Sequence, residues 1–271
     1  MVEPAATEPA FADERQQRIA RLIAVRGRAR IGELARTFGV TEPTIRKDLT
    51  ALQERGFLKR THGGAIAIHP PIERELADRE ITHREAKEAI GRACLGLLGD
   101  GESVFLDTGT TVGTIATAIS ANPQAAPRNL VVLTNAINVA TALADVPGVE
   151  HVLLGGQLRR AGGSVVGTLA LRNLQSFTVS VAVISASGFS EVGITVASSA
   201  EAEIKATVIE GAHRVVVAVD QSKIGVTDFA RICALDAIDT VVIDQSTPDL
   251  EELCALHDVE ILLAPPAPKP P

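Results

Sequence analysis

The turn Asp107-Thr108-Gly109-Thr110-Thr111 sets a carboxylate, three hydroxyls and a glycine between the apolar run Val104-Phe105-Leu106 and a stretch with helical potential, Val112 to Ile119. A polar turn at the start of a helix offers free backbone N–H groups and hydroxyls, which is what a phosphate needs; a plain capping turn has the same residues. Thr134-Asn135, Gly155-Gly156 and Asp220-Gln221-Ser222-Lys223-Ile224-Gly225 follow apolar runs in the same way. There Lys223 can reach a dianion and Asp220 can accept from a sugar hydroxyl. A different chemistry lies near the N-terminus. If Ile45, Leu49 and Leu52 face inward on one helix, Glu42, Pro43, Thr44, Arg46 and Lys47 are left near its outer face. Arg suits a bidentate contact to guanine and Lys a point contact to base or phosphate, while Pro43 or the Thr44 methyl can pack on thymine; the pairing stays open.

The 271-residue chain carries a formal charge of −7, which taken whole speaks against a polyanionic partner. The charge is unevenly placed. From Glu14 to Arg60 there are twelve Arg or Lys against five Asp or Glu, which leaves −14 on the rest. A basic head on an acidic body fits a small domain that meets nucleic acid and a larger one with another task, although a solvated helical surface looks alike by charge alone. With 46% apolar and 22% charged residues the chain can bury a core, which excludes wholesale disorder.

The head has the periodicity of three short helices. Residues 13–26 carry Ile19, Leu22, Ile23 and Val25 at helical spacing; Ile31, Leu34, Ala35 and Phe38 form a second stripe closing at Gly39. Thr41 is placed to accept the first free N–H of a third helix, with Pro43 in its first turn and Gly56 as its stop. The short break between the second and third helices has the length of a helix-turn-helix corner. Phe57 to Ile66 then reads as two short strands about Gly63-Gly64, a wing whose Lys59, Arg60 and His62 can reach phosphates or the minor groove.

Pro70 and Pro71 mark a linker, and beyond it short β-branched runs alternate with helical patterns. Glu80 to Leu98 and Ala136 to Ala144 are helix-like. Val104 to Leu106, Leu130 to Leu133, Val152 to Leu154, Val179 to Ile184, Val215 to Val219 and Val241 to Ile243 are strand-like. Such alternation predicts a largely parallel sheet with helices on both faces, and ligands bind beyond the strand C-termini of such sheets.

The stretch Leu34 to Leu49 with its TIRKDL, then Leu52 to Gly56, then RTHGGA at 60 to 65, strongly resembles the DeoR (GlpR-like) family of bacterial transcriptional regulators. TGTT at 108 to 111, TN at 134 and 135, LLGG at 153 to 156, DQSKIG at 220 to 225, and Arg79 with Lys87 are similar to that family's body, so the likeness spans about residues 14 to 245. It implies an α/β fold class: an N-terminal winged helix-turn-helix plus a larger α/β sheet domain resembling the ribose-phosphate isomerase and aminosugar-phosphate isomerase fold. It also implies a repressor of carbohydrate or polyol catabolism genes, whose affinity for double-stranded operator DNA is changed by a phosphorylated sugar or polyol effector. One departure stands out. Ser185-Ala186-Ser187-Gly188 replaces the Asp-Gly that many members carry, so Ser187 and Gly188 join the effector residues without an acid at 187, which hints at a different head group or a less polar polyol.

The domains expected are a disordered tail at 1–13, the winged head at 14–66, a linker at 67–78, the effector domain at 79–263 and a disordered proline-rich tail at 264–271. The rival readings are a sugar-phosphate isomerase with a nucleic-acid-binding head, and a regulator of a non-sugar ligand. Asp107, Asp220 and Glu191 could supply acid and base, but no arranged pair is visible, so no catalytic residue and no enzyme are expected. His62, His69, His83, His151, His213 and His257 lack metal-ligand spacing, and no metal or cofactor is expected. Cys94, Cys233 and Cys254 suit core filling in a reducing compartment. No apolar run reaches eighteen residues and no secretory signal is present, which points to the cytoplasm and no membrane partner. With 3% aromatic residues and no Trp or Tyr, duplex rather than single-stranded DNA is the expected partner. A single winged domain buries little surface on DNA, so a homodimer or homotetramer is expected.

Overall fold

The computed structural model describes residues 15–266, apart from 17, 21, 24–27, 55–57, 62, 68–78 and 80. The tail expected at 1–13, all but the first residue of the 67–78 linker, and the proline-rich tail beyond Pro266 lie outside the described residues, as does His62. The chain divides into two compact units near residue 74.

In the first unit, helix α1 is described at 15, 16, 18–20, 22 and 23. Strand β1 (Arg28–Arg30) precedes α2 (Ile31–Phe38), α3 (Glu42–Glu54), β2 (Leu58–Thr61) and β3 (Gly64–Ala67). Gly39 closes α2 in the left-handed region at φ 64, where a side chain would be strained, and α3 starts three residues later. Thr41 does not cap as expected: its hydroxyl pairs with that of Thr44 at 2.9 Å, and its carbonyl accepts from the Ile45 N–H. Ile45, Leu49 and Leu52 point inward onto Ile19, Ile23, Ile31, Leu34 and Leu58, as the periodicity requires. The strands order β1-β3-β2, all antiparallel, so the wing has a third strand, Arg-Ala-Arg, whose alternation is too short to announce it. Gly64 pairs with Arg30, and a Cβ at Gly64 would stand 2.0 Å from the Ala29 carbonyl. A winged helix-turn-helix results.

One buried carboxylate in this small core carries no periodic signal in the sequence. Asp48, 3% exposed, accepts from Arg15 Nε at 2.7 Å, Arg15 Nη2 at 3.1 Å and Gln16 at 3.1 Å, which ties α3 to α1.

The second unit is built on seven parallel strands: β4 (Ser103–Leu106), β5 (Leu130–Thr134), β6 (Val149–Leu153), β9 (Val179–Ser185), β12 (Ala212–Ala218), β14 (Thr240–Ile243) and β15 (Glu260–Leu263). Their order is β15-β14-β12-β9-β4-β5-β6. Alternate residues face opposite sides, and both sides are apolar. Val104, Leu106, Val181, Val183 and Val216 pack with α4 (Arg84–Leu95), α5 (Thr110–Ala121) and α6 (Ile137–Leu143). Phe105, Ala182, Ile184, Val215 and Val217 pack with α7 (Thr168–Leu174), α8 (Ser199–Gly211) and α9 (Pro248–Leu256). Burial on both faces explains why the strands read as continuous apolar runs. Two small additions had no such signal: the hairpin β7 (Gln157–Arg159) with β8 (Ser164–Val166), and a sheet of β10 (Gly188–Ser190), β11 (Gly193–Val196) and β13 (Ala230–Cys233).

The chain leaves β4 toward β5 and β6 on one side, and leaves β9 toward β12, β14 and β15 on the other. The crevice between the ends of β4 and β9 is therefore the topological switch point, where open α/β sheets bind ligands. Among the described residues no helix is long and apolar enough to cross a membrane, and no cluster of His, Cys, Asp or Glu is arranged to hold a metal ion.

Asp48→Ala leaves Arg15 buried without its carboxylate and is expected to destabilise the head by about 3 kcal/mol. Hydrogen exchange should register roughly a hundredfold loss of amide protection in α2 and α3; unchanged protection would show that the pair contributes nothing.

Candidate functional site

Asp107 stands immediately after β4 and is wholly buried. Its Oδ2 accepts from the Ser185 N–H at 2.8 Å and from Lys205 Nζ of α8, and lies 3.0 Å from Ser185 Oγ. Lys205 is 1% exposed and also donates to the Ser185 carbonyl at 3.1 Å. Oδ1 has no hydrogen-bond partner. Burial pushes the Asp107 carboxyl above the usual range, while the Lys205 ammonium and the Ser185 N–H pull it down. A buried carboxylate and ammonium meet at the switch point as an ion pair, a juxtaposition that the sequence reading did not contain. Lys205 was missed because its partner is distant in sequence; the one local signal was Glu201 with Lys205, four apart on one helix.

The rest of the expected turn is more committed than its composition suggested. Thr108 Oγ1 donates to the Gly162 carbonyl at 3.0 Å, and Thr111 is buried. Gly109 caps α5 at φ 131, and a Cβ there would fall 2.6 Å from Ser185 Oγ. Thr110 opens the helix and lines a groove of about 770 Å³ against α4, with Arg84, Lys87 and Arg92. Lys87 is not spare for a ligand, since its ammonium donates to the Arg79 and Thr82 carbonyls. The Gly162 turn is held in turn by Glu201, 3% exposed, which accepts from Ser164 at 2.6 Å and pairs with Arg159 at 3.3 Å.

On the neighbouring strand Thr134 donates to the Leu106 carbonyl at 2.6 Å and accepts from the Ala136 N–H at 3.0 Å. Asn135 Nδ2 donates to the Val165 carbonyl at 3.3 Å, and its Oδ1 is buried with no partner. Two acceptor oxygens, Asp107 Oδ1 and Asn135 Oδ1, are thus left unpartnered at the ends of adjacent strands. Each costs about 1–3 kcal/mol until a donor reaches it.

The other expected residues lie on the same edge without closing on these. Gly155 and Gly156 follow β6 and are exposed; the Gly155 N–H donates to Asn173 at 3.2 Å. Asp220 follows β12, four strands from β6, so about 19 Å separates the two ends of the series. Ser187 and Gly188 lie between, with the Ser187 N–H donating to the Thr195 carbonyl at 2.9 Å. Asp220 Oδ1 accepts from the Ser222 N–H at 3.0 Å, and Oδ2 is buried without a partner. It lines a recess of about 950 Å³ with Glu191, Asp244, Asp249 and His83, and Lys223 is not among the lining residues. Lys223 does not line that acidic recess, so the roles expected of Lys223 toward a dianion and of Asp220 toward a sugar hydroxyl do not meet in this one pocket.

In the head, Glu42, Pro43, Arg46 and Lys47 are exposed and Thr44 is half-buried along α3. Arg46 lies 3.6 Å from Glu42. Lys59 is exposed on β2, whereas Arg60 is half-buried and donates to Thr50 at 2.7 Å, bracing the wing against α3. Burial raises the Cys94 thiol to about 12 and Cys233 and Cys254 to about 11, so all three are inert packing groups at neutral pH.

Residues 15–70 match the family described as "DeoR-like helix-turn-helix domain", and residues 82–245 match "DeoR C terminal sensor domain". The chain is similar to the HTH-type transcriptional repressor GlcR of Bacillus subtilis, 36% identical over 229 residues, covering 83% of this chain and 85% of that protein. It is 30% identical over 252 residues to the glycerol-3-phosphate regulon repressor of Escherichia coli, covering 92% and 98%. Among solved structures, ribose 5-phosphate isomerase A from Methanocaldococcus jannaschii aligns at a TM-score of 0.38 and 16% identity over 53% of this chain and 55% of that one, a likeness too slight to carry weight.

Gly109→Ala forces a Cβ onto Ser185 at a backbone angle that side chains rarely adopt. It is expected to cost about 2 kcal/mol, read as a lowered thermal midpoint of the body; an unchanged midpoint would show that the loop can relax around it.

Proposed function

The chain belongs to the DeoR family of DNA-binding transcriptional regulators, and from that premise we propose that it is a repressor of carbohydrate or polyol catabolism genes whose operator affinity is set by a phosphorylated sugar or polyol. One observation carries the effector class. The unpartnered Asp107 Oδ1 and Asn135 Oδ1 call for hydrogen-bond donors, and hydroxyl groups supply them. The N-terminus of α5, at Gly109, Thr110 and Thr111, is adjacent and offers N–H groups to a phosphate. Thr108, Thr134, Ser187 and Gly188 complete the surroundings, and Gly155, Gly156, Asp220 and Lys223 flank them.

The head meets duplex DNA with Glu42, Pro43, Thr44, Arg46 and Lys47 of α3 in the major groove. Lys59 and Arg60 of the wing, together with His62, which lies outside the described residues, sit toward the backbone or minor groove. The division into a head at 14–66, a linker at 67–78 and an effector domain at 79–263 belongs to the same reading. So do the flanking tails and a homodimer or homotetramer that places two heads on a repeated site. Effector binding changes DNA affinity only by its differential affinity for the two states.

A catalytic reading has one observation in its favour, the buried Asp107 and Lys205 pair. Lys205 spreads its N–H groups over Asp107 and Ser185, which leaves none to polarise a substrate oxygen. We therefore read the pair as part of a binding site in a regulator, not an enzyme. Turnover of phosphosugars by the purified protein would reverse that reading.

Binding to duplex DNA upstream of the chain's own gene, at fixed salt, is expected to change about tenfold or more on adding one member of a panel of phosphorylated sugars and polyols. No response to any of them would overturn the effector class. Lys47→Ala is expected to weaken binding to all sequences alike and to lower the salt slope by about one; a change confined to one base position would make it a base contact instead. Asn135→Ala is expected to leave operator binding in place but abolish its response to the active compound, and a retained response would remove Asn135 from the site.

A further inference from the structure

We propose that Lys205 is a positioning residue of the sensor site: it fixes the Asp107 carboxylate through Oδ2, so that Oδ1 is held as the acceptor for a hydroxyl of the phosphorylated compound. The proposal rests on the sensor reading above. Lys205 Nζ reaches Asp107 Oδ2, the Ser185 carbonyl at 3.1 Å and Ser185 Oγ at 3.2 Å. Its donor capacity is taken up, and it acts on a ligand only through Asp107. On the carboxylate, Oδ2 receives the Ser185 N–H and the Lys205 ammonium, while Oδ1 receives nothing. The two carboxylate oxygens are equivalent, but any partial rotation about the Cβ–Cγ bond gives up both contacts, so the position and direction of the free oxygen are set by Lys205 and Ser185 together.

The charged groups around Asp107 make this dependence specific. Lys205 and Glu201 reach it from α8, and Arg159 of β7 is paired with Glu201. Ser185 from β9 is neutral. Without Lys205, both burial and the Glu201 charge favour protonation of Asp107, which turns an acceptor into a hydroxyl donor. Because Asp107 is wholly closed to solvent, a ligand reaches Oδ1 only when the covering loops part.

The test is calorimetric binding of a panel of phosphorylated polyols and sugars to the full chain, from about pH 5.5 to 9. For the compound that binds the wild type, Lys205→Met is expected to weaken binding about tenfold or more at neutral pH and to move the acid limb of the binding profile to higher pH. Lys205→Arg, which keeps the charge, should restore much of the affinity. Asp107→Asn with Lys205→Met should bind weakly and without that pH limb. Wild-type affinity and pH profile in Lys205→Met would overturn the proposal, and so would a loss equal at every pH, which marks a purely structural role. If circular dichroism shows Lys205→Met unfolded, the neutral double variant decides: wild-type affinity there overturns the proposal. No binding of any compound to the wild type overturns the sensor reading itself and this proposal with it, whereas wild-type binding that is indifferent to Lys205 overturns this proposal alone.

Discussion

Seven strands paired in parallel bring every strand C-terminus to one edge, and the rest of the body follows from that constraint. Both faces of the sheet are covered by helices and lined by Val, Ile, Leu and Phe, so polar side chains find room chiefly where the strands end. Thr134, Asn135, Asp107, Ser185 and Asp220 all sit on that edge. Two of them belong to the pair of strands where the chain changes direction, which leaves a crevice between their loops.

A carboxylate buried at that crevice needs a partner, because removing both charges of an ion pair from water costs several kcal/mol each unless hydrogen bonds are well made. The partner comes from α8, and the same helix face sends Glu201 to the neighbouring hairpin four residues earlier. One helix therefore holds the end of β4, the end of β9 and the β7–β8 turn in a single arrangement. The hairpin is fastened to the turn at Asp107 to Thr111 by the Thr108 contact to Gly162, so the two are mechanically linked. A regulator needs that property: binding has to be coupled to a rearrangement before it can bias anything elsewhere.

The head solves a smaller version of the same problem. Its core is a few aliphatic side chains from three helices and a three-stranded sheet, and a buried Asp48 joined to Arg15 and Gln16 locks the recognition helix to α1. Arg60 donates one N–H to Thr50 and so braces the wing against α3. Basic residues in such a domain thus divide between those that face outward and those that set the geometry of the face.

Local patterns were legible in the chain alone. The helical spacing of Ile45, Leu49 and Leu52, the left-handed closure at Gly39, the apolar runs that became β4, β5, β9, β12 and β14, and the polar turns after them all follow from neighbours within a few residues. The motifs about Arg46, Lys47 and Thr108 were enough to indicate the family. Tertiary structure alone decided how those turns are shared out. Asp220 opens into an acidic recess some strands away from Asp107, and Lys223 does not line it. Short strands such as Arg28–Arg30 exist only because a neighbour completes their hydrogen bonds. Lys205 shows the limit most plainly: it lies 98 residues from the carboxylate it holds, and a pairing across that distance is fixed by which strands are adjacent, a fact that no periodicity along the chain records.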